Sequence, residues 1–305
     1  MLGFNGGLIG KNNPTVAGTS IPGVWTSREQ EVAVRNAEWA GTGLLDLYAG
    51  ATAAFSLRSL RGATFNTAVV RVRRSSDNQE QDFTAAQITD NTLSTFCGAG
   101  NGSVVTWYDQ TGNGNNATQG TTSEQPRIVT SGVVETDGGK PTIRFGVVAS
   151  SLITPDITPG ANCAFFAVTR HTNASSNWSW FVGEKYVSPF FLGKKSSSSI
   201  AHVAFGGGAG SASDLSGTDM VSKSVSYWQQ GTGISRYKFN NGTIAALPTD
   251  GSRFNVGFII GRRGTSGNSE IWYGPIQELI YYPTSQLAVH ENIIANINSY
   301  YGIYA

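Results

Sequence analysis

Three sets of side chains in this 305-residue sequence have the types and spacing to do chemistry. The first lies in "TWYDQTGNGNNATQ" (106–119), where a buried-strand pattern of Val104, Val105 and Trp107 runs into Asp109 and a burst of Gly, Asn and Thr. An Asp/Asn-rich loop can hold calcium, but that takes six or more oxygens and more than one carboxylate, and only Asp109 is at hand. The residue types suit a corner better. Gly112 and Gly114, with Asn at 113, 115 and 116, tolerate positive φ, and Asp109 and Gln110 can bond the loop's own amides. The second set is aromatic: "NWSWF" puts Trp178 and Trp180 on one face of a strand, and "SYWQ" adds Tyr227 and Trp228. Exposed, such rings stack on sugars; buried, they fill a core. All four are candidate glycan contacts. The third set, His171, His202 and His290, is scattered without ligand spacing, so no metal and no cofactor are expected. "HVAFGGGAGSAS" is glycine-rich but lacks the Lys-Ser/Thr ending of a phosphate loop.

These side chains sit in a chain of unusual polarity. Charged residues make up 13% of it, about half the common share of roughly 25%. The 38 Gly, 15 Phe, 11 Tyr and 7 Trp describe many turns around an aromatic core, which suits an all-β protein. With 21 basic and 20 acidic residues there is no basic stripe, so nucleic acid is not an expected partner. The densest basic run, "VVRVRR" (69–74), alternates so that Arg71 and Arg73 share one solvated strand face. No apolar run approaches the 18 or so residues of a membrane-spanning helix, and the N-terminus lacks the pattern of a secretory signal. The chain is therefore expected to be made and kept in a cytoplasm.

The elements that must position these residues are mostly strands. They are expected at 69–74, 103–109, 141–146, 163–170, 178–183, 189–193, 201–205, 225–230, 236–239, 243–247, 255–260 and 270–282, with an Asn-Gly hairpin at "FNNGTI". Strands at this spacing imply a two-sheet sandwich or jelly roll. Two helices are expected beside them. One covers 47–60, on Leu47, Ala51, Ala54 and Leu57; the other closes the chain, with Leu287, Ile294, Ile297 and Tyr301 on one face and Gly302 ending it. Residues 1–40 differ, a glycine-rich arm with a short helix whose capping-box spacings start at Thr26 and Ser27. The division expected is an arm over 1–40 and one sandwich domain over 41–305.

Between residues 44 and 150, "DLYAGATAAFSLRSL", "VVRVRRSSDNQEQDF", "STFCGAGNGSVVTWYDQTGNGNNATQ" and "PTIRFG" together resemble the N-terminal part of the α-L-arabinofuranosidase B catalytic domain. That resemblance implies a concanavalin A-like jelly-roll β-sandwich. "GPIQELIYYPTSQLAVHENIIANINSYYG" is similar to the last strand and closing helix of laminin-G-like sandwiches. The catalytic half of the resemblance is absent. Those enzymes carry an adjacent Cys-Cys pair that this chain lacks. Their nucleophile segment corresponds to "GSASDLSGTDMVSKS", which holds no glutamate, and their acid/base position after Tyr-Pro is occupied by Thr284 and Ser285. A retaining glycosidase needs two carboxyls about 5 Å apart, and hydroxyls do neither job. In the same enzymes the cysteine matching Cys97 pairs within its own loop; here that loop reads "CGAGNGSVV", so Cys97 and Cys163 are expected as free thiols.

The arm resembles something else. "GFNGGLIG" and "PGVWTSREQEVAVRNAEW" are similar to the leader of tailed-bacteriophage structural proteins, notably those of cyanophages. The expectation is thus a non-enzymatic virion protein, tail-fibre-associated or capsid-decorating, assembled in the host bacterial cytoplasm. Leu2, Phe4, Leu8, Ile9, Val24 and Trp25 would attach it to other virion proteins. It would be a homo-oligomer, a trimer among its forms, whose sandwich takes host surface glycan. The alternative from another class is a glycoside hydrolase of α-L-arabinofuranosidase type; a third is a free carbohydrate-binding module.

Overall fold

The computed structural model describes residues 42–305 apart from short internal segments, together with backbone pairing at Thr15–Val16 and Thr19–Ser20. The arm residues expected to attach the chain, and its expected helix, lie outside the described residues. Eighteen of the described strands build the two layers. The first eight are β1 (Ala53–Ser56), β2 (Ala68–Arg74), β3 (Glu80–Thr84), β4 (Gly102–Trp107), β5 (Ala117–Thr118), β6 (Arg127–Thr130), β7 (Ile143–Phe145) and β8 (Leu152–Ile153). Then come β9 (Ala164–Thr169), β10 (Ser179–Glu184), β11 (Phe191–Lys194), β12 (Ala201–Ala204) and β13 (Ala212–Leu215). The last are β14 (Ser224–Gln229), β15 (Ile234–Phe239), β16 (Ala245–Pro248), β17 (Phe258–Ile260) and β18 (Gly274–Tyr282). The helices are α1 (Leu44–Leu47), α2 (Ala85–Thr89), α3 (Thr92–Cys97) and α4 (His290–Tyr301).

Antiparallel pairing sorts the strands into two layers. Sheet 1 runs β16-β15-β14-β9-β18-β1. Sheet 2 runs β3-β2-β4-β5-β8-β17-β10-β11-β12-β13. β7 ties them at one end, pairing with β18 and with β6. Alternation along β9 shows how the layers pack. Phe165 and Ala167 enter the core between the sheets with Trp107, Phe181, Trp228, Phe258 and Tyr281, while Phe166 and Val168 face the other way. That second face is covered by α1 and α4 through Leu44, Leu45, Ile293, Ile294, Ile297 and Tyr301. A strand buried on both sides reads as a continuous apolar run, which is why "CAFFAVT" shows no alternation. This is the concanavalin A-like sandwich expected.

The loop after β4 is a corner, and its job is specific. β1 pairs with β18 on one side only, so its other edge would be bare. The loop covers it. Gln110 N donates to Ala54 O (2.9 Å), and an Asp109 carboxylate oxygen accepts from Ala54 N (3.0 Å). Asp109 also accepts from Thr111 N, Thr111 Oγ1 and Asn115 N, while Gln110 Oε1 takes Leu60 N. Asn113 and Asn115 donate to Thr52 O. Gly112 and Gly114 turn at φ 88° and 77°.

Three local expectations change. The helix expected over 47–60 is instead the one-turn α1, followed by β1. Ala53 and Phe55 enter the inter-sheet core and Ala54 the outer one, so pairing with β18 overrides the helical propensity of an alanine-rich run. Leu287 lies before α4 and is partly exposed rather than on its buried face. In the "FNNG" hairpin the positive φ falls on Asn240 (49°), with Gly242 N bonding Phe239 O. Arg71 and Arg73 share the solvated face as read, on Asp82 and on Gln125 with Asn78. Cys97 and Cys163 are both buried and neither is in a disulfide.

Candidate active site on the outer face of sheet 2

Cross-strand register fixes which residues share a face at the β10–β13 end of sheet 2. One row runs Ser179, Lys194, Ala201, Leu215. Ala201 and Leu215 belong to the inter-sheet core, so this row points inward. The neighbouring row, through Trp180, Gly193 and Asp214, therefore belongs to the outer face, and Asp214 is exposed there. No described helix covers that face: α1 and α4 pack on sheet 1, and α2 and α3 feed the inter-sheet core.

Trp178 stacks on Trp180 at 5.6 Å with an interplanar angle of 15°. Gly193 makes room for the second ring. A Cβ there would stand 2.0 Å from Ser179 O and 2.8 Å from Trp180 Cε3. Residues 261–263 and 270–272 meet through an Arg262–Ile271 bridge and a Trp272 N to Gly261 O bond, which brings Glu270 beside Arg263. Glu270 Oε2 accepts from Trp180 Nε1 (3.0 Å) and from Arg263 Nη1 (3.1 Å). The result is a half-exposed indole lying on a buried one, with a carboxylate held at its rim. Such a surface can stack a sugar ring and present an oxygen acid to it.

Of the four aromatic residues expected to touch glycan, only Trp178 keeps an exposed surface. Trp180 is 2% exposed, Trp228 1% and Tyr227 0%, which corrects the expectation for these three as direct contacts. Trp228 lies in the inter-sheet core and Tyr227 under α4 against Phe166 and His290. Thr284 and Ser285 fall elsewhere. Ser285 Oγ donates to Gln229 Oε1 (2.9 Å) at the far end of β14, a clip that also receives Gln286 N and Tyr227 OH. The Tyr-Pro corner thus belongs to sheet 1, and Asp214, within "GSASDLSGTDM", belongs to sheet 2. Among the described residues, Asp214 and Ser285 thus sit on different sheets.

Behind the platform, His171 packs edge-on to Trp272 (4.8 Å), which packs edge-on to Phe181. Burial, and then the Lys194 ammonium, push its imidazole down to about 3. The sign follows from proton counting. Between pH 6.5 and about 3 the unfolded chain holds a proton on His171 that the folded chain refuses, so stability falls as pH drops through that window. The slope from this one group is about 1.4 kcal/mol per pH unit. Urea melts between pH 7 and 4 should show it, and His171→Phe should flatten it; an unchanged slope would remove His171 as the cause.

The model of the family "Alpha-L-arabinofuranosidase B, catalytic" matches residues 29–140. The likeness is to a glycoside hydrolase. Among solved structures, an arabinofuranosidase complexed with arabinofuranosyl-α-1,2-xylobiose superposes with a TM-score of 0.58 at 17% identity, over 84% of this chain and 65% of that one. A GH54 α-L-arabinofuranosidase soaked with a cyclic sulfate inhibitor gives a TM-score of 0.56 at 18% identity, with the same coverages of 84% and 65%. This chain therefore spans about 65% of the length of those proteins, and at such identity the match establishes the shared fold. No curated protein matches by sequence. These findings correct the expectation of a non-enzymatic virion protein. The matched segment starts at residue 29, inside the arm expected to be a phage leader, and the model it matches is that of a catalytic domain.

Proposed function

We propose that the chain is a glycoside hydrolase of the α-L-arabinofuranosidase type, working on the outer face of sheet 2. The observation that carries the reading is the family match over residues 29–140, which build β1 to β6 and the corner loop that closes the edge of sheet 1. The Trp178–Trp180 platform adds support, since it is the aromatic surface a furanose ring would lie on. Glycoside hydrolysis uses two carboxyls, one delivering a proton to the departing oxygen while the other attacks the anomeric carbon or activates the water that does. Glu270, bonded to the buried indole, is one candidate; Asp214, on the outer row of Trp180, is the other.

The test is turnover of 4-nitrophenyl α-L-arabinofuranoside by the full chain. Wild type should release nitrophenol above buffer, and Glu270→Gln or Asp214→Asn should each lower kcat by about a hundredfold or more while the melting temperature holds. Wild-type turnover at the buffer rate, across several arabinofuranosides, would overturn the reading.

A further inference from the structure

We infer that the chain has a second site for neutral sugar, in a cleft between the α2–α3 pair and the hairpin at residues 131–141. The cleft encloses about 500 Å³, within the range of small-ligand sites. Its floor is aliphatic: Ile88 from α2, with Val134 and Pro141 from the hairpin. Its polar side chains are Thr89, whose hydroxyl donates to Ala86 O, and Asn91, Ser94 and Thr136, which bond no other described residue. Ser94 is half-buried, Asn91 and Thr136 are exposed at the cleft's mouth, and Asn91 holds its position at φ 74°.

The lining carries no charged side chain. Nearby charges are engaged elsewhere: Asp90 accepts from Thr92 N, and Glu135 pairs with Arg127 and Arg144. An ionic ligand would have no counter-charge there. A free apolar ligand would leave three polar groups facing it unpaired. A pyranose or furanose satisfies both halves, with C–H faces on the aliphatic floor and hydroxyls on the amide and the two hydroxyls. The site is separate from the tryptophan platform. Between β4, beside the cleft's hairpin, and β10 stand four strand spacings, roughly 19 Å. The reading of the chain as a glycan-acting enzyme guides the choice of sugar, while the cleft's chemistry stands without it.

The experiment is titration of the full chain with L-arabinose, D-xylose and xylotriose, followed by amide chemical shifts. Shifts should move at residues 88–94 and 132–141 and saturate. Asn91→Gly, which removes the amide yet accepts the positive φ, should weaken binding about tenfold, and Thr136→Phe should abolish it by filling the cleft. Trp178→Ala should leave these shifts intact. Binding that survives both cleft variants, or the absence of shifts there at tens of millimolar sugar, overturns the site. Because hydrolysis is read separately with the nitrophenyl substrate, a failed cleft and a failed hydrolase are told apart. Thermal melts confirm that each variant is folded.

Discussion

Arg58→Ala should cost about 3–5 kcal/mol, because it removes the cation from a buried ion pair. Arg58 forks onto Glu278 with Nε to Oε2 at 2.8 Å and Nη2 to Oε1 at 2.9 Å. Glu278 is 1% exposed and also accepts from Ser56 Oγ and Tyr301 OH, so it joins β1, β18 and α4. The guanidinium lies over the Tyr300 and Tyr301 rings as well. Removing it strands a carboxylate beneath the closing helix. Replacing both partners with apolar residues, Arg58→Met with Glu278→Leu, should recover most of the loss, because the penalty comes from the orphaned charge. Equilibrium denaturation of the single and double variants decides it. If the double variant is no more stable than Arg58→Ala, the pair holds α4 by its hydrogen bonds and not by charge compensation.

Asp109→Ala should cost about 2–4 kcal/mol, because one partly buried carboxylate accepts from three amides and a hydroxyl. A second effect should accompany it. With the corner loosened, the β1 edge regains bare amides, and the folded chain should begin to self-associate. Hydrogen exchange gives the local readout: the Ala54 amide should lose protection in the variant while the Ala167 amide, in the middle of sheet 1, keeps it. Equal loss at both amides would mean that the corner stabilises the whole sandwich rather than one edge.

The corner was legible because everything that defines it lies within a dozen residues: an acid, two glycines and three asparagines in sequence order. The strands were legible for a similar reason, since β-branched and aromatic runs between turn residues are local signals. β1 was not. Its Ala-rich sequence satisfies helical spacing, and only β18, more than two hundred residues away, makes it a strand. The site shows the same division. "NWSWF" announces two tryptophans on one face, but nothing local says that one covers the other. Tyr227 and Trp228 sit in a strand buried on both sides, where alternation carries no information about solvent. Glu270 could not be singled out from the sequence, since its partner Trp180 is ninety residues earlier. Thr284 and Ser285 occupied the place where a resembling enzyme keeps its acid, yet Ser285 donates to Gln229 and Thr284 accepts from Gln286.

The central claim is that the outer face of sheet 2, at Trp178 and Glu270, is where this chain meets its glycan. Crystals of the Glu270→Gln chain soaked in an arabinofuranosyl-substituted xylo-oligosaccharide test it most directly. The account predicts a furanose ring against Trp178, with its glycosidic oxygen facing residues 214 and 270. Sugar density only at another face of the sandwich, with the Trp178 ring left bare, would contradict it.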